Sequence, residues 1–318
     1  MATDLPMKVL VTGGAGFIGS NLVRLLLREG HDVVVLDSLA SGYRSNIEGL
    51  PLAGLVVGDV RDASLLDRAI AGTEVVFHLA ASVGNARSID HPVVDATMNV
   101  LGTLNVLEAA RKHGLRKIVF SSSAGIFGEL KTLPIAEDHP VEPDSPYGAT
   151  KLCAEKLCLA YSKLHGLEAV CLRYFNVFGI RQRFDAYGNV IPIFAQRLIH
   201  GQPITVYGDG EQTRDFINVS DVAAANMAAG ANRGVSGAFN LGSGTAITVN
   251  HLVELIQRVS GLTTTVTHGP VRKGDVRHSR ADIGAIGHAL GWSPKAQFER
   301  SLAEYMEWAK KAFVEPAL

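Results

Sequence analysis

The feature that most constrains this chain is an alternation. Short, apolar, β-branched runs recur through its first half at 9–11, 33–36, 55–57, 75–77, 118–120 and 169–172. Each is apolar at successive positions, as strands are when helices cover both faces of their sheet. Between them lie segments of helical periodicity at 16–28, 95–113 and 146–165. The first carries an apolar stripe at Ile18, Leu22, Leu25 and Leu26. Strand, helix, strand repeated in this way leads to a parallel sheet wound in both directions.

The rhythm breaks near residue 176. Loops rich in Gly, Asp and Arg follow at 179–190, 207–215 and 267–280, with helical patterns near 191–200, 220–231, 248–260 and 298–312. A chain of 318 residues, 47% of them hydrophobic, is long enough for one large domain and a smaller lobe. The expected fold class is therefore α/β: a doubly wound parallel Rossmann sheet over residues 1–176 with a smaller C-terminal substrate-binding lobe over 177–318. A later strand near 237–241 is expected to return to the sheet.

The net charge of −1 speaks against a nucleic-acid surface, which needs a basic excess. Cys153, Cys158 and Cys171 cannot pair completely and have no metal-ligand spacing, so they read as thiols of a reducing cytoplasm, with no metal site. The first residues lack the layout of a signal peptide, and no apolar run approaches the ~20 residues that span a bilayer. The expectation is a cytoplasmic protein without a membrane partner.

The first strand runs into Gly13-Gly14-Ala15-Gly16-Phe17-Ile18-Gly19. The spacing is G-x-x-G-x-x-G, but the strand before it and the helix after it supply the context of a dinucleotide turn. Glycine permits a tight turn and a close approach of pyrophosphate to free N–H groups at a helix start. Asp37 closes the second strand about twenty residues on, where a carboxylate accepts from ribose hydroxyls and repels a 2′-phosphate, so NAD is expected over NADP. Capping of the following turn is the other role open to Asp37. Asp59 and Val60 are candidates for the adenine end. Leu79, Ala80 and Ala81 lead away from the fourth strand, the alanines leaving room for the cofactor.

Ser121-Ser122-Ser123 ends the fifth strand, and Ser145-Pro146-Tyr147-Gly148-Ala149-Thr150-Lys151 follows. Pro146 suits a first helical turn, which places Tyr147 and Lys151 four apart on one face. A tyrosine with a pKa of ~10 is a poor base at neutral pH. A nearby ammonium and the positive nicotinamide ring would lower that value. Ser123 can share the proton with a substrate hydroxyl. His78, His113 and His165 have no acid partner at motif spacing and read as structural or exposed.

These motifs, with Ala124 and with Arg173-Tyr174-Phe175-Asn176, resemble the extended short-chain dehydrogenase/reductase family from about residue 8 to about 312, and within it the UDP-glucose 4-epimerase group of nucleotide-sugar epimerases. The resemblance implies an NAD-dependent enzyme that inverts C4 of a UDP-sugar through a 4-keto sugar. It implies that Asn99 supports the nicotinamide side and Tyr174 the cofactor, that Asn176 touches diphosphate or sugar, that Arg214 and Arg272 bind diphosphate, and that Tyr207 stacks on uracil. Ser279 would line the sugar pocket, where a small residue goes with N-acetylhexosamines. It further implies a homodimer built on the helices near 95–113 and 147–165. The chain departs from the family's Val-Tyr-Gly at Ile126-Phe127-Gly128. The related 4,6-dehydratases carry an Asp-Glu pair, and the uronate decarboxylases a glutamate, where this chain has Ala124-Gly125. Those two reactions, a uronate 4-epimerase and a non-catalytic NAD-binding protein are the competing readings.

Overall fold

The structure is a computed structural model that describes residues 6–184, 189–271 and 276–313. Its central element is a seven-stranded sheet, all parallel, built from β1 (Lys8–Thr12), β2 (Asp32–Asp37), β3 (Gly54–Val57), β4 (Val75–His78), β5 (Lys117–Ser123), β6 (Glu168–Tyr174) and a strand that arrives late in the chain, Gly237–Leu241. The spatial order is the late strand, then β6, β5, β4, β1, β2 and β3. The order reverses at β1, between β2 and β4, and crevices for ligands form at such a reversal, beyond the carboxyl ends of the strands.

Helices cover both faces. One core packs α1 (Phe17–Arg28) and a later helix, Val219–Ala231, onto Val9, Val11, Val33, Val35, Phe77 and Val119. The other packs α2 (Ala63–Ile70) and two longer helices onto Leu10, Val34, Leu36, Val76, Ile118 and Phe120. Odd and even positions of one strand thus enter different cores, because strand side chains alternate across the sheet. This is why the runs are apolar throughout.

The segment expected as one helix from 95 is more articulated. α3 (Asn85–Asp90) and α4 (Pro92–Ala96) precede a π-helical turn at Thr97–Leu101, which continues into α5 (Gly102–Lys112). Such a turn re-aims side chains within a helix and recurs at functional sites. α6 (Pro146–His165) starts where the sequence sets it: Ser145 Oγ accepts from Gly148 N at 3.1 Å, Pro146 occupies the first turn, and Gly166 ends the helix at φ 70°.

Past β6 come β7 (Asn176–Phe178), α7 (Val190–Ile199), β8 (Ile204–Tyr207), β9 (Thr213–Arg214), β10 (Phe216–Asn218), α8 (Val219–Ala231), β11 (Gly237–Leu241), β12 (Ile247–Thr248), α9 (Val249–Ser260), β13 (Val266–Gly269), α10 (Gly284–Leu290) and α11 (Phe298–Ala312). β11 pairs with β6, so the chain re-enters the sheet. A separate core around Phe178, Phe194, Leu252, Leu302 and Tyr305 holds the second lobe. Asp215 fastens that lobe to the sheet edge: fully buried, it accepts from Ser243 N and Oγ (both 2.7 Å), Gly244 N and Ala281 N (both 3.0 Å).

Candidate active site

The glycine turn is shaped by close approach. Gly13 sits at φ 71°, and a Cβ there would lie 2.7 Å from Ala80 N. A Cβ on Gly19 would lie 2.1 Å from the carbonyl oxygen of Gly13. Gly16 precedes α1 and has no side chain to cap it, which leaves the first N–H groups of the helix without a side-chain acceptor, as an anion site requires. This cradle fits a dinucleotide pyrophosphate.

Asp37 takes the turn-capping role that the sequence left open. Its Oδ1 accepts from Leu39 N and its Oδ2 from Ala15 N, each at 2.8 Å, so it turns the loop and ties it to the glycine turn. The carboxylate is buried at the end of β2, an environment hostile to a 2′-phosphate. Asp59 is engaged by Arg61 through two bonds, Nε at 3.0 Å and Nη2 at 2.7 Å, and this hydrogen-bonded guanidinium holds its carboxyl below the usual range. Val60 is buried, and Gly102 packs on it.

Behind the cofactor side runs a chain of bonds that the sequence did not disclose. Ala80 N donates to Thr12 Oγ1 (3.2 Å), which lies 2.7 Å from His78 Nδ1. His78 Nε2 lies 3.0 Å from Thr103 Oγ1, and that hydroxyl donates to Asn99 O at 2.6 Å. With the Thr103 proton spent on Asn99, His78 donates from Nε2 and accepts at Nδ1. Burial, reinforced by the Lys151 charge, pushes its pKa down to about 3, so His78 is a neutral structural link. Asn99 is brought by the π-helical turn to the loop after β4: its Oδ1 accepts from Ser82 N at 2.8 Å and its Nδ2 reaches Ser82 O at 3.1 Å.

Ser123 and Tyr147 meet at the carboxyl end of β5, where the Ser123 hydroxyl lies near enough to the phenol to draw its pKa down. Lys151 Nζ donates to Ser121 O at 2.8 Å and lies 5.0 Å from the Phe120 ring centre. The helix thus presents the tyrosine and the lysine along one face, the lysine almost wholly buried and the tyrosine partly open. Their electrostatics differ from the expectation that Lys151 would lower the phenol. Burial pushes Tyr147 above its ordinary value, the Ser123 hydroxyl pulls it down, and the Asp95 carboxylate pushes it up again. Burial also brings Lys151 down to about 8, against the pull of Asp95 and Cys158. The physical reason is desolvation, which the spacing of two residues on a helix does not reveal.

Tyr174 is paired in register with Ser123 and donates to Asn226 Oδ1 at 2.9 Å. Burial raises its phenol far above the usual range. Asn176 Nδ2 donates to Asp215 O at 3.3 Å. Tyr207 closes β8, 37% exposed, with Gly269 beside its ring. Arg214 Nη1 donates to Thr213 O at 2.9 Å, and Ser279 is buried where its N–H meets Thr213 O at 3.1 Å. Arg272 lies outside the described residues. The structure thus gathers the glycine turn, the loop after β4, Ser123, Tyr147 and Tyr174 at the carboxyl ends of the central strands. Asn176, Arg214 and Ser279 are linked to one another through the 213–215 segment.

Residues 9–242 match the model of the NAD dependent epimerase/dehydratase family. The chain belongs to that family, and its cofactor is NAD. Across the family the chain is 39% identical over 307 residues to a UDP-glucose 4-epimerase of Mycolicibacterium smegmatis, covering 95% of this chain and 98% of that one. It is 36% identical over 326 residues to a dTDP-glucose 4,6-dehydratase of Streptomyces niveus, covering 98% and 95%. Among solved structures, the UDP-glucose 4-epimerase of Thermotoga maritima with UDP-glucose superposes with a TM-score of 0.91 at 37% identity, covering 96% of this chain and 99% of that one. The UDP-glucose 4-epimerase of Thermus thermophilus in complex with NAD gives 0.87 at 38% identity, covering 96% and 100%. The names of these relatives span two chemistries, epimerisation and dehydration.

Proposed function

We propose that this enzyme inverts C4 of a UDP-hexose through a 4-keto sugar. The observation that carries the reading is Gly125. A side chain begun there would start 3.4 Å from Ser123 Oγ and 3.7 Å from the Tyr147 ring. It is the place from which an acid would reach the sugar to expel a hydroxyl, and Ala124-Gly125 has no acid to offer. The reading is supported by relatives and neighbours named as UDP-glucose 4-epimerases.

NAD, when bound, supplies the acceptor and the source of hydride. The chain's own residues handle the proton. Tyr147 accepts the 4-hydroxyl proton, directly or through Ser123, and returns it after the sugar has turned over. Lys151, cationic below pH of about 8, would stabilise the phenolate as it forms during the transfer, although it does not lower the resting phenol. Gly13, Gly16, Phe17, Ile18 and Gly19 would hold the pyrophosphate, Asp37 the ribose, and Asp59, Val60, Leu79, Ala80, Ala81, Asn99 and Tyr174 the flanks of the cofactor. Arg214, Arg272 and Asn176 would grip the sugar's diphosphate, since guanidinium forks match its oxygens. Tyr207 would stack on uracil. Grip on the diphosphate leaves the keto sugar free to present its other face.

Ser279 extends the substrate range to UDP-N-acetylhexosamines. The working unit is a homodimer in the cytoplasm. Its interface is the exposed apolar face of α4 and the π-helical turn, with Val93 (73% exposed), Val94 and Leu101 (both 53%). The test is product analysis by NMR across UDP-glucose, UDP-galactose, their N-acetyl forms and a UDP-uronate. C4 epimers support the proposal, and a 4-keto-6-deoxy product overturns it in favour of dehydration. Tyr147→Phe should lower turnover at least ~100-fold while NAD stays bound, because the proton has lost its acceptor.

A further inference from the structure

Asp95 belongs to no part of the chemistry described so far, yet it is fully buried on α4 against the helix that carries Tyr147 and Lys151. Its Oδ2 accepts from Thr150 Oγ1 at 2.5 Å and from Asn99 Nδ2 at 3.1 Å. Its Oδ1 is buried with no hydrogen-bond partner. A half-satisfied buried carboxylate is costly, and such groups persist where their charge or geometry is used. The two partners define that use. Thr150 lies next to Lys151 and one turn from Tyr147. Asn99 holds the loop after β4 through Ser82. One carboxylate therefore fixes the rotation of α6 relative to the wall on the cofactor's side.

We propose that Asp95 is a positioning residue for proton transfer at Tyr147, acting through Thr150 and Asn99 and through its own buried charge. The charge acts in one direction on both groups, since it favours the protonated form of Tyr147 and of Lys151. It sets how firmly the phenol keeps its proton between the two halves of the reaction. The other titratable groups on the elements packed against α4 are Arg87 and Asp90 on α3, His91 at its own head, and, further along α6, Cys153, Glu155, Lys156, Cys158, Tyr161, Lys163 and His165, of which Glu155 is paired with Arg173. The proposal rests on the reading of Tyr147 as the proton-transfer group.

Asp95→Asn keeps the shape and removes the charge. The ultraviolet titration of tyrosinate in wild type minus Tyr147→Phe, repeated in the Asp95→Asn background, reads Tyr147 without any substrate. We expect the Tyr147 pKa to fall by about one unit in the variant, the effect of removing one buried neighbouring anion. With the substrate found above, kcat should drop about tenfold with KM within about twofold, and the acid limb of the kcat profile should move to lower pH. An unshifted titration, or a lowered kcat with an unmoved pH profile, overturns the proposal and leaves Asp95 a packing residue. Should Asp95→Asn not fold, Thr150→Val takes its place: it should lose kcat likewise, and Thr150→Ser should restore most of it, whereas a Thr150→Val enzyme with wild-type kcat overturns the idea. If the wild-type protein inverts no sugar, the proposed function fails while the tyrosinate titration still decides the role of Asp95.

Discussion

Lys151 shows how far a residue's chemistry depends on where its charge is kept. Its ammonium is buried beside Phe120, with Ser121 O as its hydrogen-bond acceptor, and burial brings its pKa down to about 8. The sign of the consequence is fixed. Below pH of about 8 the side chain is cationic and would support the phenolate that forms as the proton moves; above it that support is lost. Activity should therefore fall on the alkaline side from about pH 8, as kcat/KM measured against pH will show. In Lys151→Arg, whose guanidinium stays charged throughout, the residual activity should lack that alkaline limb. The Tyr–x–x–x–Lys spacing could be read in the sequence, and so could the proline of the helix's first turn. The desolvation that governs both pKa values could not, because it depends on which side chains from other elements close over the pair.

At the scale of elements, β5, β6 and α6 are locked by an ion pair that carries no sequence signature. Arg173 Nε and Nη2 donate to Glu155 at 3.1 and 2.8 Å, Ser122 Oγ donates to the same carboxylate at 2.7 Å, and Arg173 Nη1 donates to Glu137 O at 2.9 Å. Both ions are buried, so removing one strands the other in a medium that cannot solvate it. Arg173→Met should destabilise the fold by about 3–5 kcal/mol, read as a shift in the urea midpoint, and Arg173→Met with Glu155→Leu should recover part of the loss. Arg173-Tyr174-Phe175-Asn176 stood out in the sequence as a motif, but its arginine pairs with a residue eighteen positions earlier. The π-helical turn at Thr97–Leu101 is equally hidden: the 95–113 periodicity predicts one regular helix, and nothing in it marks the extra residue that turns Asn99 toward Ser82.

At the scale of the whole molecule, five of the exposed large apolar side chains, Ile89, Val93, Val94, Leu101 and Leu164, lie on α3, α4, the π-helical turn and the far end of α6. A monomer that kept Val93, Val94, Leu101 and Leu164 in water would expose a patch of the kind that marks an interaction surface. Sedimentation at micromolar concentration should give a dimer, and Val93→Asp with Leu101→Asp should give a monomer that still binds NAD, since neither residue lies in the glycine cradle. A wild-type monomer would contradict this assembly.

The amino-acid sequence determined what is local. Doubly apolar runs demand helices on both faces of a sheet, Gly19 answers a turn in which a Cβ would strike the Gly13 carbonyl, and Pro146 suits the first turn of the helix that carries Tyr147. These are matters of sterics and periodicity within a few residues. Tertiary structure decided what depends on distant neighbours. It placed Asp95 against Thr150, joined Thr12 to Asn99 through His78 and Thr103, and closed Asp215 inside a ring of donors from residues 243–281. Burial and charge act through space, and only the fold determines which charges share it.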